Sequence, residues 1–99
     1  MASVTVTVKY ISILLHDVTH KTNETIEVDG ESIALSDLVE ELAAHYGELF
    51  HSTFYTEEGN IRPHFHVLVN GQNIRFLAGL QTVVQDGDIV SFITPIGGG

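Results

Sequence analysis

The sequence predicts an α+β domain in which a mixed β-sheet packs on one main helix. Several segments alternate apolar and polar residues with a period of two, which is the pattern of strands, and one segment repeats apolar residues at helical spacing. The chain has 99 residues, of which 43% are apolar. That length and composition predict a single globular domain with a modest core.

The first part of the chain predicts two strands separated by a bend. Residues 4–8 alternate valine with polar residues, as a half-buried strand does. The apolar residues at 11–15 fit neither the strand nor the helix period, so we expect a short helical turn there and a polar loop over 16–23. Residues 25–28 alternate again, and Asp29-Gly30 ends this second strand with a turn.

The segment 36–46 gives the strongest helix signal in the chain. Its apolar residues mark one face at helical spacing, and its charged residues mark the other. Ser36 is the predicted N-cap, and Gly47 is the predicted end of the helix. Leu49 and Phe50 are expected to form a short turn that packs on the core.

The second half of the chain predicts a hairpin and a last strand. Residues 65–69 alternate, and Asn70-Gly71 follows them directly, which is a strong hairpin signal. Residues 72–76 then supply the returning strand. The remaining expectations are a loop over 77–85, a turn at Asp86-Gly87-Asp88 and a final strand over 89–94.

The predicted order is strand, strand, helix, strand, strand, strand, with the helix covering one face of the sheet. This is the order of a β-grasp, the ubiquitin-like fold. We assign residues 1–96 to the β-grasp domain and residues 97–99 to a flexible C-terminal glycine tail.

The three terminal glycines are the most informative feature for function. Glycine has no side chain to pack, so a tail of this kind is expected to be extended, mobile and thin enough to enter a narrow channel in another protein. Its one reactive group is the α-carboxylate of Gly99. Such a carboxylate becomes an acyl donor once ATP has activated it as an acyl-adenylate. The alternative is a frayed terminus without a function.

Charge and composition exclude several classes of function. The net charge is −9, and the only basic residues besides histidine do not cluster in the sequence, so neither nucleic acid nor an anionic membrane is an expected partner. The chain has no Cys, which excludes disulfides, thiolate nucleophiles and Cys-based zinc sites. Any sulfur nucleophile must therefore come from another molecule. The basic residues are Lys9, Lys21, Arg62 and Arg75.

Targeting and catalytic motifs are also absent from the sequence. No apolar run approaches the ~18 residues of a membrane span, and the start of the chain lacks the basic region of a signal peptide. We therefore expect a cytoplasmic protein. His64 and His66 could form half of a metal site on one strand face, but no further ligands lie at a diagnostic spacing, so we predict no metal. No motif assembles a catalytic centre, and we predict that the chain is not an enzyme.

A set of short motifs runs through the second half of the chain to its last residue. They are Val69-Asn70-Gly71, Ile74-Arg75-Phe76, Gly79-Leu80, Thr82, Asp86-Gly87-Asp88 and Pro95-Ile96-Gly97-Gly98-Gly99. Together these motifs resemble the sulfur-carrier family of β-grasp proteins. That family includes the small subunit of molybdopterin synthase, the thiamine-pathway sulfur carrier and the archaeal ubiquitin-like small modifiers. The resemblance covers essentially the whole chain, and the long segment Gly47 to Pro63 favours the archaeal modifier and molybdopterin branch.

The resemblance implies a specific chemistry at Gly98 and Gly99. An E1-like adenylating enzyme, using ATP, would adenylate the Gly99 carboxylate without prior trimming of the tail. The product would become a thiocarboxylate, which the large subunit of molybdopterin synthase would use for molybdopterin or tungstopterin synthesis, or it would be joined to lysines of target proteins by an isopeptide bond. No cofactor would be bound by the chain. Two departures are Thr94-Pro95, where the family often has two prolines, and Gly97, where it often has another residue.

The partner surface is expected on the sheet face opposite the helix, where His64, His66 and Leu68 would lie beside one another. Pro95 would fix the direction in which the tail leaves the sheet. Lys9 and Lys21 are the only side-chain acceptors for an isopeptide within the chain, and ordinary surface charge is the alternative for both. An alternative for the whole protein is a non-covalent interaction module with an inert tail. We expect a monomer when the protein is free.

Overall fold

The structure, a computed structural model, describes residues 2–95. Seven strands, three α-helices and two 3-10 turns make up this part of the chain. In chain order the elements are β1 (Ser3–Tyr10), α1 (Ile13–Thr19), β2 (Asn23–Asp29), β3 (Ser32–Ala34), α2 (Leu35–Tyr46), α3 (Glu48–Phe54), β4 (His66–Val69), β5 (Gln72–Asn73), the 3-10 turns Ile74–Phe76 and Gly79–Gln81, β6 (Val83–Gln85) and β7 (Ile89–Ile93).

The main sheet has five strands in the order β2-β1-β7-β4-β5. β1 and β7 pair in parallel, and every other neighbouring pair in this sheet is antiparallel. β3 and β6 form a separate two-stranded sheet. The mixed sheet with a main helix confirms the predicted α+β class and the β-grasp architecture.

One hydrophobic cluster joins the sheet to the helices. Alternate residues of β1 and β7 are buried, as the period of two requires. α2 contributes four buried side chains from a single face, and α3 adds two phenylalanines. The largest fully buried side chains are Phe50, Phe54, Phe92, Leu15, Leu35 and Leu38.

The start of α2 differs from the prediction. Its N-cap is Ala34, without a side-chain cap, so the assignment of Ser36 as the N-cap is wrong. The backbone explains the difference. β3 runs directly into the helix, and the Leu35 N–H donates to the Thr82 carbonyl oxygen at 2.8 Å. The end of the helix is as predicted, since Gly47 adopts a positive φ of 93° and its N–H donates to the Ala43 carbonyl oxygen.

Both short helices are longer than the sequence predicts. α1 runs through His16 to Thr19, where we expected a loop, and His20 closes it in the left-handed conformation. α3 is a full helix where we expected a turn at Leu49 and Phe50. Phe50 is buried as predicted, but Leu49 is 63% exposed. Helices of seven residues are too short to show a clear period, because they complete only about two turns.

The β4–β5 hairpin forms at Asn70-Gly71 as predicted. Both residues have a positive φ, 51° and 85°, which is the requirement of a type I′ turn. The returning strand is shorter than expected, because the chain turns into a 3-10 conformation at Ile74. The segment 77–85 is not simply a loop, since it ends in β6. Its partner β3 is far away in sequence, and a three-residue strand carries almost no periodic signal.

The predicted turn at Asp86-Gly87-Asp88 is present and connects several strands. The Thr5 N–H donates to Asp86 Oδ1 at 2.8 Å. Asp88 Oδ2 accepts from the Gln85 N–H at 2.8 Å, and its Oδ1 accepts from Asn70 Nδ2 at 2.9 Å. These carboxylates serve as hydrogen-bond acceptors that tie the turn to β1 and to the β4–β5 hairpin.

A carboxylate on β2 links three elements at the side of the sheet. Glu24 Oε2 accepts hydrogen bonds from the Tyr10 hydroxyl at 2.6 Å and from the Tyr46 hydroxyl at 2.5 Å. Glu24 Oε1 accepts from Lys21 Nζ at 3.3 Å. Burial raises the pKa of Glu24, but these hydrogen bonds outweigh it, so the pKa lies below its usual range. Burial and the same carboxylate raise the pKa of Tyr10 and of Tyr46. We name Tyr10, Lys21, Glu24 and Tyr46 the Glu24 cluster.

None of the helices within residues 2–95 is long and apolar enough to cross a membrane.

The Glu24 cluster predicts a pH-dependent contribution to stability. Because folding lowers the pKa of Glu24, its stabilisation is present above the carboxyl's unfolded pKa and is lost as the pH falls through the folded value. Replacing Glu24 with Gln should lower the free energy of unfolding by about 1–2 kcal/mol at neutral pH. The difference in the free energy of unfolding between the wild-type protein and the Glu24→Gln variant should become smaller at acidic pH. Urea unfolding of both proteins across this pH range measures it, and a difference independent of pH would contradict the assignment.

Candidate functional site

The candidate site is the end of β7, from which the chain continues to its C-terminus. β7 is the middle strand of the five, between β1 and β4. Its last residue, Ile93, pairs with His66 at the beginning of β4, and Phe92 pairs with Tyr10 at the end of β1. The chain therefore leaves the sheet from the centre of one end, with a neighbouring strand on each side.

The base of the tail is held by hydrogen bonds to the segment after β1. The Ser12 N–H donates to the Phe92 carbonyl oxygen at 2.8 Å. The Thr94 hydroxyl donates to Ser12 Oγ at 2.9 Å, and both side chains are buried. Ser12 is also the N-cap of α1 and accepts from the Leu15 N–H. This Ser12–Thr94 contact fixes the chain at Thr94, the last buried residue within 2–95, and the next residue, Pro95, is exposed.

The predicted reactive residues lie beyond this point. Gly97, Gly98 and Gly99 are outside the described residues, as is Ile96. The predicted tail and the boundary at residue 96 therefore stay predictions. Pro95 directly follows the Ser12–Thr94 contact and is exposed, and its role in directing the tail stays a prediction.

The predicted partner surface is only partly assembled. His66 and Leu68 share the face of β4 opposite its buried valines. Leu68 pairs with Ser91 on one side and with Asn73 on the other, and its side chain is half-buried. His64 is exposed in a turn before β4 begins, so it does not extend the row along the strand. Binding of a partner to this face stays a prediction.

The histidines in the described part of the chain do not assemble a metal site. Within residues 2–95, no group of three or more His, Cys, Asp or Glu side chains is placed to hold a metal ion. The His51 imidazole lies 3.6 Å from a Glu40 oxygen, which is the one His–carboxylate pair among these residues.

A different apolar surface lies at the base of the tail, and the sequence analysis missed it. Ile11 and Ile13 flank Ser12 and are 54% and 62% exposed. Leu14, in the first turn of α1, is also exposed. Residues 11–15 fit neither the strand period nor the helix period, and this was the sequence feature that could have indicated the exposed apolar surface. Side chains that face water need not follow the period of the core. We name Ile11, Ile13 and Leu14 the α1 patch.

The two lysines differ in their surroundings. Lys9 is exposed on β1, between Asn23 and Ser91 of the neighbouring strands. The Lys21 ammonium binds Glu24 and lies 5.6 Å from the centre of the Tyr46 ring. Hydrogen bonding with Tyr46 and with Glu24 raises the pKa of Lys21, so less of its free amine is present at a given pH.

The arrangement defines a class of protein, namely a β-grasp domain that presents its C-terminal segment from the centre of the sheet. The sequence profile of the ThiS family matches residues 13–99. The chain belongs to this family of β-grasp sulfur carriers. It is a carrier or modifier and not a catalyst.

Two relatives support this assignment, and a solved structure shares the fold. Small archaeal modifier protein 3 of Haloferax volcanii is 35% identical over 69 residues, which are 70% of this chain and 73% of that protein. A protein of Archaeoglobus fulgidus assigned as a sulfur carrier is 31% identical over 74 residues, 75% of this chain and 83% of that protein. The solution structure of small archaeal modifier protein 1 from Methanosarcina acetivorans shares the fold, with a TM-score of 0.75, 24% identity and complete coverage of both chains.

The environments of the two lysines predict different reactivity. We expect an amine-acetylating reagent to label Lys9 faster than Lys21, because the Lys21 ammonium is held by Glu24 and its pKa is raised. The Glu24→Gln variant should increase the rate at Lys21 and leave the rate at Lys9 unchanged. Peptide mass spectrometry after timed labelling measures both rates. Equal rates in the wild-type protein would contradict this expectation.

The Ser12–Thr94 contact predicts a local effect on stability. Thr94→Val keeps the shape of the side chain and removes the hydroxyl, which should lower the free energy of unfolding by about 1 kcal/mol. The amide of Ser12 should also exchange its hydrogen faster. Thr53→Val is the matched control, since the Thr53 hydroxyl is bonded within α3 to the Leu49 carbonyl oxygen. A larger loss in the control, or unchanged exchange at Ser12, would contradict a role for the contact in holding the tail.

Proposed function

We propose that this protein is a carrier whose C-terminal Gly98-Gly99 is activated by an E1-like adenylating enzyme. In the first step, a carboxylate oxygen of Gly99 attacks the α-phosphate of ATP, which releases pyrophosphate and forms an acyl-adenylate. The ATP is bound and used by the partner. The observation that carries the proposal is the match of the ThiS family through the last residue of the chain.

The second step delivers sulfur to the activated carboxyl group. The terminal sulfur of a persulfide on a partner attacks the carbonyl carbon, and AMP leaves. A thiol of the partner then attacks the inner sulfur, which releases a thiocarboxylate at Gly99 and leaves a disulfide on the partner. The chain has no Cys, so both sulfur groups must come from elsewhere.

Two fates of the activated carboxyl group follow. As a sulfur carrier, the thiocarboxylate sulfur bonds to an acceptor, and water then cleaves the acyl–sulfur bond and restores the Gly99 carboxylate. The proposed acceptor is the pterin precursor bound by the large subunit of molybdopterin synthase. As a modifier, the acyl-adenylate of Gly99 is attacked at its carbonyl carbon by a lysine amine of another protein, so that an isopeptide bond forms and AMP leaves. The relatives from Archaeoglobus fulgidus and Haloferax volcanii support the first and the second fate respectively.

The geometry at the base of the tail suits either fate. The Ser12–Thr94 contact holds the chain at the end of the sheet. The C-terminal segment therefore begins at a defined position relative to the surface that a partner would bind. The α1 patch lies beside that point and supplies apolar surface to a partner. The partner's active site would then contribute the catalytic groups.

Removal of the glycines tests the first step. Deletion of Gly98 and Gly99 should abolish ATP–pyrophosphate exchange by the cognate E1-like enzyme, because the carboxylate no longer reaches the nucleotide. Unfolding by urea should be unchanged. Lys9→Gln is the control with an intact tail, and it should retain exchange. Full exchange by the truncated protein would overturn the proposal.

The covalent state of Gly99 in cells separates the two fates. Intact mass spectrometry of protein from its native host should show one oxygen of the C-terminal peptide replaced by sulfur for a sulfur carrier. Glycine remnants on lysines of other proteins would indicate a modifier, and both results together would indicate a dual role. If neither occurs, a non-covalent interaction module becomes the better assignment. In that case Leu68→Asp should abolish partner binding, and removal of the tail should not.

A further inference from the structure

A cavity of about 250 Å³ lies at the edge of the main sheet, and neither Ser12 nor Thr94 lines it. It lies between the segment that precedes β4 and the 3-10 turn that follows β5. Phe65, Val67 and Ile74 line it and belong to the buried core. The cavity therefore has an apolar lining that continues into the interior of the domain.

Both arginines of the chain also line this cavity. Arg62 and Arg75 are thirteen positions apart in sequence, so no basic cluster was visible there, and the fold brings them to one site. They are half of the four Lys and Arg residues in a chain with a net charge of −9. The cavity is thus a local exception to an acidic protein, and it is suited to an anion.

The two guanidinium groups are available to a ligand. Within the described part of the chain, neither forms an ion pair with a carboxylate. Arg62 Nε donates to the Ser52 carbonyl oxygen at 3.0 Å, and the Arg62 backbone N–H donates to the Phe54 carbonyl oxygen at 3.0 Å. These bonds hold Arg62 on α3 while its Nη groups stay available for bidentate binding of a carboxylate.

The size of the cavity indicates what would enter it. Its volume lies below the roughly 300–1,000 Å³ of pockets for drug-sized ligands, and it suits a single apolar side chain. Phe76, directly after Arg75, is 85% exposed and adds apolar surface outside the cavity. Phenylalanine and arginine are both enriched in protein–protein interfaces, which favours a protein segment as the ligand.

We propose that this cavity is a docking site for an acidic segment of another protein. An apolar side chain of that segment enters the cavity, and carboxylates next to it bind Arg62 and Arg75. The protein surface outside the cavity is acidic and repels such a segment. Binding therefore depends on contact between the carboxylates of the segment and the two arginines. The inference does not depend on the chemistry of Gly99.

A peptide titration tests the docking site with the full chain. The probe is a blocked peptide that carries one leucine between two glutamates, with glycine elsewhere, and two related probes have phenylalanine or isoleucine at the central position. Chemical shifts of the ¹⁵N-labelled protein should change around Arg62 and over 74–79. A probe with glutamines in place of both glutamates should bind about tenfold more weakly, because the charge-assisted hydrogen bonds are lost. A probe with serine at the central position should also bind more weakly.

Matched variants of the protein separate a specific site from general charge. Arg62→Gln and Arg75→Gln each remove one positive charge from the cavity, and we expect each to weaken binding of the leucine probe about tenfold. Lys9→Gln removes the same charge from β1 and should change binding less than about twofold, since exposed charges at a distance are screened. Phe76→Ser should weaken binding without changing the fold.

The opposite outcomes overturn the proposal. Equal weakening by Lys9→Gln and by the two arginine variants would indicate a general effect of charge. Equal binding of the glutamate and glutamine probes would exclude carboxylate recognition. An absence of shift changes at the cavity with all three acidic probes would exclude the site. Amide spectra of the free variants confirm that each is folded, so loss of binding cannot be attributed to unfolding.

Discussion

The parallel pairing of β1 with β7 is the constraint on which the rest of the structure depends. It joins the first and the last strand of the chain at the centre of the sheet, through the register Thr7↔Ile89 to Tyr10↔Phe92. Parallel neighbours run in the same direction, so β7 reaches its end beside the end of β1. The C-terminal segment therefore begins next to the residues that follow β1, and Ser12 can bind both Phe92 and Thr94.

The core secures this pairing from the helix side. Tyr10 and Phe92 are stacked with their ring centres 6.1 Å apart, and Phe50 of α3 contacts both rings edge-on. The Tyr10 hydroxyl extends from this aromatic cluster to Glu24. The groups with shifted pKa values in this region hold strands and helix together. Shifted pKa values often mark catalytic groups, but here burial and the hydrogen bonds within the Glu24 cluster account for the shifts.

The surface divides into regions of different character. The base of the tail is bordered by the apolar α1 patch, the outer face of β4 carries half-buried His66 and Leu68, and the far edge of the sheet holds the arginine-lined cavity. A small domain with a net charge of −9 thus offers both apolar and cationic surface at defined places. The proposed function calls for separate surfaces of this kind, because each proposed partner would have to recognise the same chain.

The sequence by itself determined the elements with a strong local signal. Four features could be predicted from the sequence, because each depends on residues close together in the chain. They are the valine alternation of β1, the apolar face of α2, the positive-φ turn at Asn70-Gly71 and the terminal glycines. Tertiary structure alone decided the rest. β3 and β6 pair across some fifty residues, and that pairing, not Ser36, sets the start of α2. The Ser12–Thr94 contact and the meeting of Arg62 with Arg75 at one cavity likewise join distant positions. No local pattern encodes such pairs, since they exist only once the sheet has brought their strands together.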